Sequence, residues 1–453
     1  MIFQRRLVVV CAGWLMISTG LCWGARAFEE QSAQDPPPAG EGGSKPSYES
    51  RSADLRQKQL ISTGGTSESE RAVAAALNWL ARHQNPDGSW GCAKFSSQCK
   101  DPSCTKHPRE GFGGGGGADY PAAATAFGLL PFLAAGQTHQ TKGPYQKVID
   151  NGLKWLTNNQ NEESGRFGGG NMYEHGLATI AICEAYGLSK DPKLKNLAQG
   201  AIRFTEDAQN DVSGGWHYTA NPPTVGDTSV FGWQFMSLKS AQMAGLKVDP
   251  QTIAKAKNFL TSVSKGKASG LYSYMPESGP TPAMSSVGLL CRQHSGMKRS
   301  DAAMTEGMNY VMANLGGAKN DSYFLYYASQ VMHNLPGPEW DNWNRTTRNH
   351  LISTQIKEDC AAGSWAPTGH TAGPVMSTSI HALTLEVYYR YLPIYAPVYA
   401  NDQKIELPKR ACGKIRVLDK EVVPGLRVRW CDHQHEAEDW YGSPGTNPKA
   451  VSE

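Results

Sequence analysis

Gln84-Asn85-Pro86-Asp87-Gly88-Ser89-Trp90-Gly91 separates two helical stretches, and worn copies of it return down the chain. Upstream, Val73, Ala76, Leu77 and Leu80 fall on one stripe at helical spacing, which predicts an amphipathic helix that begins near Ser67. Pro86 and Gly88 are turn chemistry and stop it. Downstream, Ala122-Ala123-Ala124-Thr125-Ala126-Phe127-Gly128-Leu129-Leu130 is small and apolar nearly all round, the pattern of a helix buried on every side.

The same unit recurs as an amphipathic helix, a Gly-x-aromatic turn and an apolar helix. The second copy has Trp155, Gln160, Gly165 and Phe167 ahead of residues 176–181. The third has Phe204, Gln209, Gly214 and Trp216 ahead of residues 230–236, and the fourth has Phe259, Gly270 and Tyr272 ahead of residues 286–290. A fifth keeps Gly316-Gly317 but has lost the aromatic, and a sixth restores it with Gln355, Gly363 and Trp365 ahead of residues 379–383. Internal repetition of this kind outweighs chain length in counting domains. Six helix pairs, each with one wet and one buried member, predict an all-α closed ring over residues 67–396, with a Cys- and Gly-rich insertion at 92–118.

Outside the ring, residues 28–66 are poor in apolar side chains and read as a disordered linker. In the tail, 397–453, the alternation Lys414-Ile415-Arg416-Val417 and Gly425-Leu426-Arg427-Val428-Arg429-Trp430 predicts a β-hairpin, with Cys412 and Cys431 placed to close it. Arg5-Arg6, an apolar run over residues 7–17 and Ala25-Arg26-Ala27 read as a secretory signal, residues 1–27, so the mature protein is expected to be exported, with no membrane span once the signal is removed. The 44 basic and 41 acidic residues are interspersed and leave a net charge of only +3, which gives no footprint for nucleic acid.

The Gln-x-x-Asp-Gly-Ser-Trp-Gly string of residues 84–91 resembles the repeat motif of squalene and hopene cyclases, and the wider pattern looks like the terpenoid-cyclase and protein-prenyltransferase superfamily. The resemblance implies the α/α toroid of six helix pairs. It does not carry over the chemistry. Where class II cyclases hold the proton donor of Asp-x-Asp-Asp-Thr, this chain has Thr224-Val225-Gly226-Asp227-Thr228-Ser229, which keeps only the final Asp-Thr. Where prenyltransferases hold zinc with Asp-x-Cys, Ser229 replaces the sulfur ligand, and His370-Thr371 lies too far along the chain to be the histidine element.

In a toroid the inner helices run parallel, so their N-termini meet at one mouth and favour anions there. Glu174, His175, Asp227 and His370 precede or open inner helices and are the candidate acid/base set, with helix capping as the competing role for Asp227. Tyr120, Tyr173, Trp233, Tyr323, Tyr326 and His381 are the candidate ligand-contacting side chains, with core packing the competing role for the aromatics. Cys92, Cys99, Cys104 and His107 offer either a small zinc knuckle or, as the reading preferred for an exported chain, disulfides, with Cys360 a partner for the odd thiol. Cys183 and Cys291 are expected as buried thiols. No metal or cofactor is assigned. The functions left open are a binding protein for an apolar or carbohydrate-like ligand in the central cavity, a divergent enzyme (an isoprenoid cyclase or transferase, or a polysaccharide lyase or hydrolase), and a secreted interaction scaffold.

Overall fold

Six amphipathic helices alternate with six apolar ones in the computed structural model, which describes residues 48–93, 95, 99, 103–104, 119–317, 319–368, 371–395, 417–423, 426–431 and 437–438. All of these belong to one unit, Ala39–Glu453. The chain first makes a short 3-10 turn, Tyr48–Arg51, and helix α1, Ala53–Ser62. The outer helices are α2 (Ser67–Arg82), α4 (Gln146–Asn158), α6 (Pro192–Asp207), α8 (Pro250–Ser262), α10 (Ala302–Asn314) and α12 (Pro338–Thr354). The inner helices are α3 (Pro121–Ala134), α5 (Met172–Ser189), α7 (Thr228–Ala244), α9 (Pro282–His294), α11 (Ser322–His333) and α13 (Pro374–Leu385), followed by the single turn α14, Val387–Arg390. Each inner helix packs on the next, and α13 returns to α3, so the ring is closed.

The recurring turn is a latch between neighbours. Gln84 Nε2 donates to the Gly88 carbonyl of its own turn (2.9 Å) and to the Val148 carbonyl of the next outer helix (2.8 Å). Gln160 does the same to Gly165 and Leu197, and Gln209 to Gly214 and Thr252. Gln355 bonds Gly363 and then Ala72 of α2, which joins the sixth repeat to the first. The latch glycines need their conformation: Gly214 has φ +73°, and a Cβ there would sit 2.0 Å from the Lys255 carbonyl oxygen. In the fourth unit, which lacks the glutamine, Glu306 reaches back and accepts from the amides of Lys267, Ala268 and Gly270. Since Gln209 is buried and serves two carbonyls, Gln209→Ala is expected to cost about 1–3 kcal/mol in denaturant unfolding.

The aromatic of the turn is driven beneath its own outer helix. Indole Nε1 of Trp90, Trp216 and Trp365 donates to the carbonyls of Leu80, Thr205 and Leu351 at 2.8–2.9 Å, and none of the three rings is more than 2% exposed. A small strand pair, β1 (Ser264–Lys265) with β2 (Leu271–Tyr272), decorates the fourth turn. The expected C-terminal hairpin is present as β3, Val417–Val423, antiparallel to β4, Leu426–Cys431, with β5, Ala437–Glu438, on its other edge. Of the first expected strand only Val417 is described; Lys414 to Arg416 and Cys412 lie outside the described residues.

One expectation is corrected at the N-terminal side. Residues 48–62 are not linker but a plug across the C-terminal ends of the inner helices. Few apolar side chains hold them; cations do, on carbonyls at the negative ends of the helices. Arg51 donates to Leu133 O (3.2 Å), Arg390 O (3.0 Å) and Glu184 Oε2 (2.7 Å), Arg56 donates to Ala135 O, and the Tyr48 hydroxyl donates to Ser240 O. Arg390 completes the cluster by donating to Glu184 Oε1 at 3.0 Å, and all three charged side chains are at most 2% exposed.

Candidate functional site at the open mouth

At the opposite end the inner helices begin, and in α3, α5, α7, α9 and α11 a side chain of the same chain takes up a first-turn amide. Asn171 caps α5 through Tyr173 N, Thr281 caps α9 through Met284 N and Asp321 caps α11 through Phe324 N. Asp227 Oδ1 caps α7, accepting from Ser229 N (3.0 Å), Val230 N (2.9 Å) and the Ser229 hydroxyl (2.5 Å). Burial raises the Asp227 carboxyl above the usual carboxylate range, against the lowering effect of those hydrogen bonds and of His217. Helix α3 has no cap of its own, since Tyr120 stands before it at φ +41°. Glu174 of α5 serves instead, accepting from Ala122 N at 3.3 Å and from Gly169 N at 3.2 Å.

Among the described residues of the expected acid/base set, Glu174 and Asp227 are not idle but occupied as helix caps. His175 follows Glu174 by one residue and so points about 100° away around the helix. Its Nδ1 accepts from Phe167 N (3.2 Å), so Nε2 carries the hydrogen and faces Thr205 Oγ1 (3.0 Å) and Ala201 O (3.2 Å) of α6. Burial holds this imidazole at a pKa of about 3, neutral at any ordinary pH, and its role is to tie the second turn to the next outer helix. His370 lies outside the described residues.

Nor do the expected ligand contacts line an open centre. Trp233, 1% exposed, meets Phe127, Tyr323, Tyr326 and Tyr327 with ring centroids 5.4–5.9 Å apart, so rings from α3, α7 and α11 meet across the middle. The Tyr323 hydroxyl donates to Ser229 O, and that of Tyr326 accepts from Arg390. His381 is buried against Trp365, and burial lowers its pKa to about 3. Two voids elsewhere, one beside Trp343 and Tyr388 and one beside His333 and Tyr391, measure about 10 Å³ each, enough for one water.

What the mouth does assemble is a tyrosine cluster. Tyr173 donates to Ser229 Oγ (2.6 Å), which donates in turn to Asp227, while its ring lies 5.6 Å from that of Tyr218. The hydroxyl of Tyr274 donates to that of Tyr218 at 3.2 Å. Tyr218 is 40% exposed and Tyr120 38%. Tyr218 and Tyr274 were missed in the sequence, although each stands two residues after a turn aromatic, in Trp216-His217-Tyr218 and Tyr272-Ser273-Tyr274, and that doublet is their signal.

The six cysteines whose side chains are described form no disulfide. Cys183 and Cys291 are buried thiols, as expected. Cys99 does meet Cys360, but together with Cys104 and His83 at the junction of the first and sixth repeats; Cys92 stands apart from that group, and His107 lies outside the described residues.

No protein-family profile and no curated protein matches the chain. Solved structures do: the cellobiose 2-epimerase of Spirochaeta thermophila DSM 6192 superposes with a TM-score of 0.50 at 12% identity, over 75% of this chain and 99% of that one. The fold is the α/α toroid. The GH76A α-1,6-mannanase of Salegentibacter sp. HEL1_6 (TM-score 0.49, 10% identity, 71% and 98% covered) and the apo type II terpene cyclase MstE of Scytonema (0.47, 11%, 71% and 98%) are also similar. At such identities the likeness extends to the toroid and not to what it acts on. Among the described residues no helix is long and apolar enough to cross a membrane.

Proposed function

We propose that this toroid is an exported binding protein that takes a carbohydrate-like ligand on the tyrosines of its open mouth. The observation that carries the reading is the cluster of Tyr173, Tyr218 and Tyr274, drawn from three successive repeats, with Tyr218 half open to solvent and bonded to the Tyr274 hydroxyl, and the Tyr173 hydroxyl in a polar relay through Ser229 to Asp227. Flat rings with polar edges suit sugar faces, which carry C–H groups on one side and hydroxyls at the rim. The filled centre and the plugged far end support a ligand on the mouth rather than deep in the ring. Export rests on the leader read at residues 1–27.

Calorimetry against a panel of neutral gluco-, manno- and xylo-oligosaccharides tests this. Tyr218→Ala is expected to weaken the best binder about tenfold, close to 1.4 kcal/mol, with no change in melting temperature. Equal binding by the variant, or a panel without a binder, would remove the carbohydrate reading. A face-down protein partner at the same mouth, the scaffold alternative, is favoured by the same filled centre and would then take its place.

A further inference from the structure

We infer that His83, Cys99, Cys104 and Cys360 form a structural zinc site that clasps the first repeat to the sixth. The four donor atoms lie within 4.8 Å of one another. Cys99 Sγ is 3.1 Å from Cys360 Sγ, Cys360 Sγ is 3.3 Å from His83 Nε2, and Cys104 Sγ is 3.7 Å from the same nitrogen. A tetrahedral ion with Zn–S of ~2.3 Å and Zn–N of ~2.0 Å requires donor–donor edges of ~3.5–3.8 Å, so adjustments of about 1 Å close the shell. Three sulfurs and one imidazole in that arrangement favour zinc over the oxygen-seeking divalent ions.

The surroundings orient the ligands. His83 Nδ1 lies 2.8 Å from the Trp79 carbonyl, which can only accept, so Nδ1 carries the hydrogen and the bare Nε2 faces the sulfurs. The ring is fixed by stacking on Trp79 at 4.1 Å. Cys360 N donates to Ser103 Oγ at 2.7 Å, and Arg82 reaches the carbonyls of Cys360 and Ala362. His83, Cys104 and Cys360 are at most 4% exposed, and four protein ligands leave no position for substrate, which makes the site structural. Binding releases the three thiol protons and leaves a complex of net charge −1, beside the Arg82 guanidinium. The site joins the end of α2, the first-repeat insertion and the turn after α12, and shares no residue with the tyrosine cluster.

The test uses the full mature chain, purified untagged and without chelator. Elemental mass spectrometry is expected to give about one zinc per chain, and cobalt(II) exchanged into it to show thiolate charge-transfer absorption and tetrahedral d–d bands. Cys99→Ser alters the most exposed ligand and is expected to lose zinc to a chelator at least tenfold faster. Stripping zinc from the unaltered chain is expected to lower its melting temperature, a readout that stands even if the variant fails to fold. A metal-free chain whose unreduced digest contains a Cys99–Cys360 cross-link would overturn the proposal, as would zinc retention unchanged in Cys99→Ser.

Discussion

Glu184→Ala is expected to destabilise the toroid by ~3–5 kcal/mol, because it leaves two buried guanidinium groups without their counter-charge. Arg51 and Arg390 both end on this one carboxylate, and the Tyr391 hydroxyl donates to it as well. Burial alone would raise the Glu184 carboxyl; Arg390 and Arg51 overcome that and hold it at about 2. Its pKa is therefore depressed on folding. The stability it contributes is complete above the ordinary carboxylate value of ~4.3 and is lost as pH falls toward 2. Urea titrations across that window check both parts: the variant should unfold at lower denaturant near neutrality, and its stability should fall less steeply on acidification. A midpoint unchanged at pH 7 would mean that water already reaches the cluster.

Trp90→Ala is expected to cost a similar ~3–5 kcal/mol, by a different route. The indole is fully buried where three helices meet. It hangs from the Leu80 carbonyl of α2, and a Cβ on Gly128 of α3 or Gly152 of α4 would lie 2.4 or 3.0 Å from its ring atoms. Truncation opens a cavity that those glycines cannot fill and leaves the Leu80 carbonyl with only the His83 amide as donor. Trp90→Phe keeps most of the ring and should lose roughly 1 kcal/mol for the missing hydrogen bond. Thermal and chemical melts of the two variants separate packing from hydrogen bonding, and equal melts for Trp90→Ala and the parent would refute both contributions.

The ring was legible because its signals are local and repeated: a glutamine, a glycine and an aromatic return at one place in four of the six units, and the apolar helices announce their burial by having no polar face. The mouth was harder to read. Asp227 and Glu174 are residue types that suit a helix cap and an acid/base pair equally, and only the amides they accept from separate the two roles. Glu174 and His175 are neighbours in sequence but diverge by the helical rotation, so one faces the start of α3 and the other α6. The plug over residues 48–62 was hidden for another reason: its stability comes from carbonyls at helix ends far along the chain, which local composition does not register. His83 and Cys360 are likewise brought together only by closure of the ring.

That closure changes what kind of object the repeat array is. A linear solenoid needs specialised end units to shield its first and last interfaces. Here Gln355 reaches Ala72 as Gln84 reaches Val148, so the first and last repeats shield each other. The break between them belongs to the covalent chain and not to the architecture. In topological terms the molecule is a necklace, and the junction of the sixth repeat with the first is one of several like joints at which a circularly permuted ring could begin.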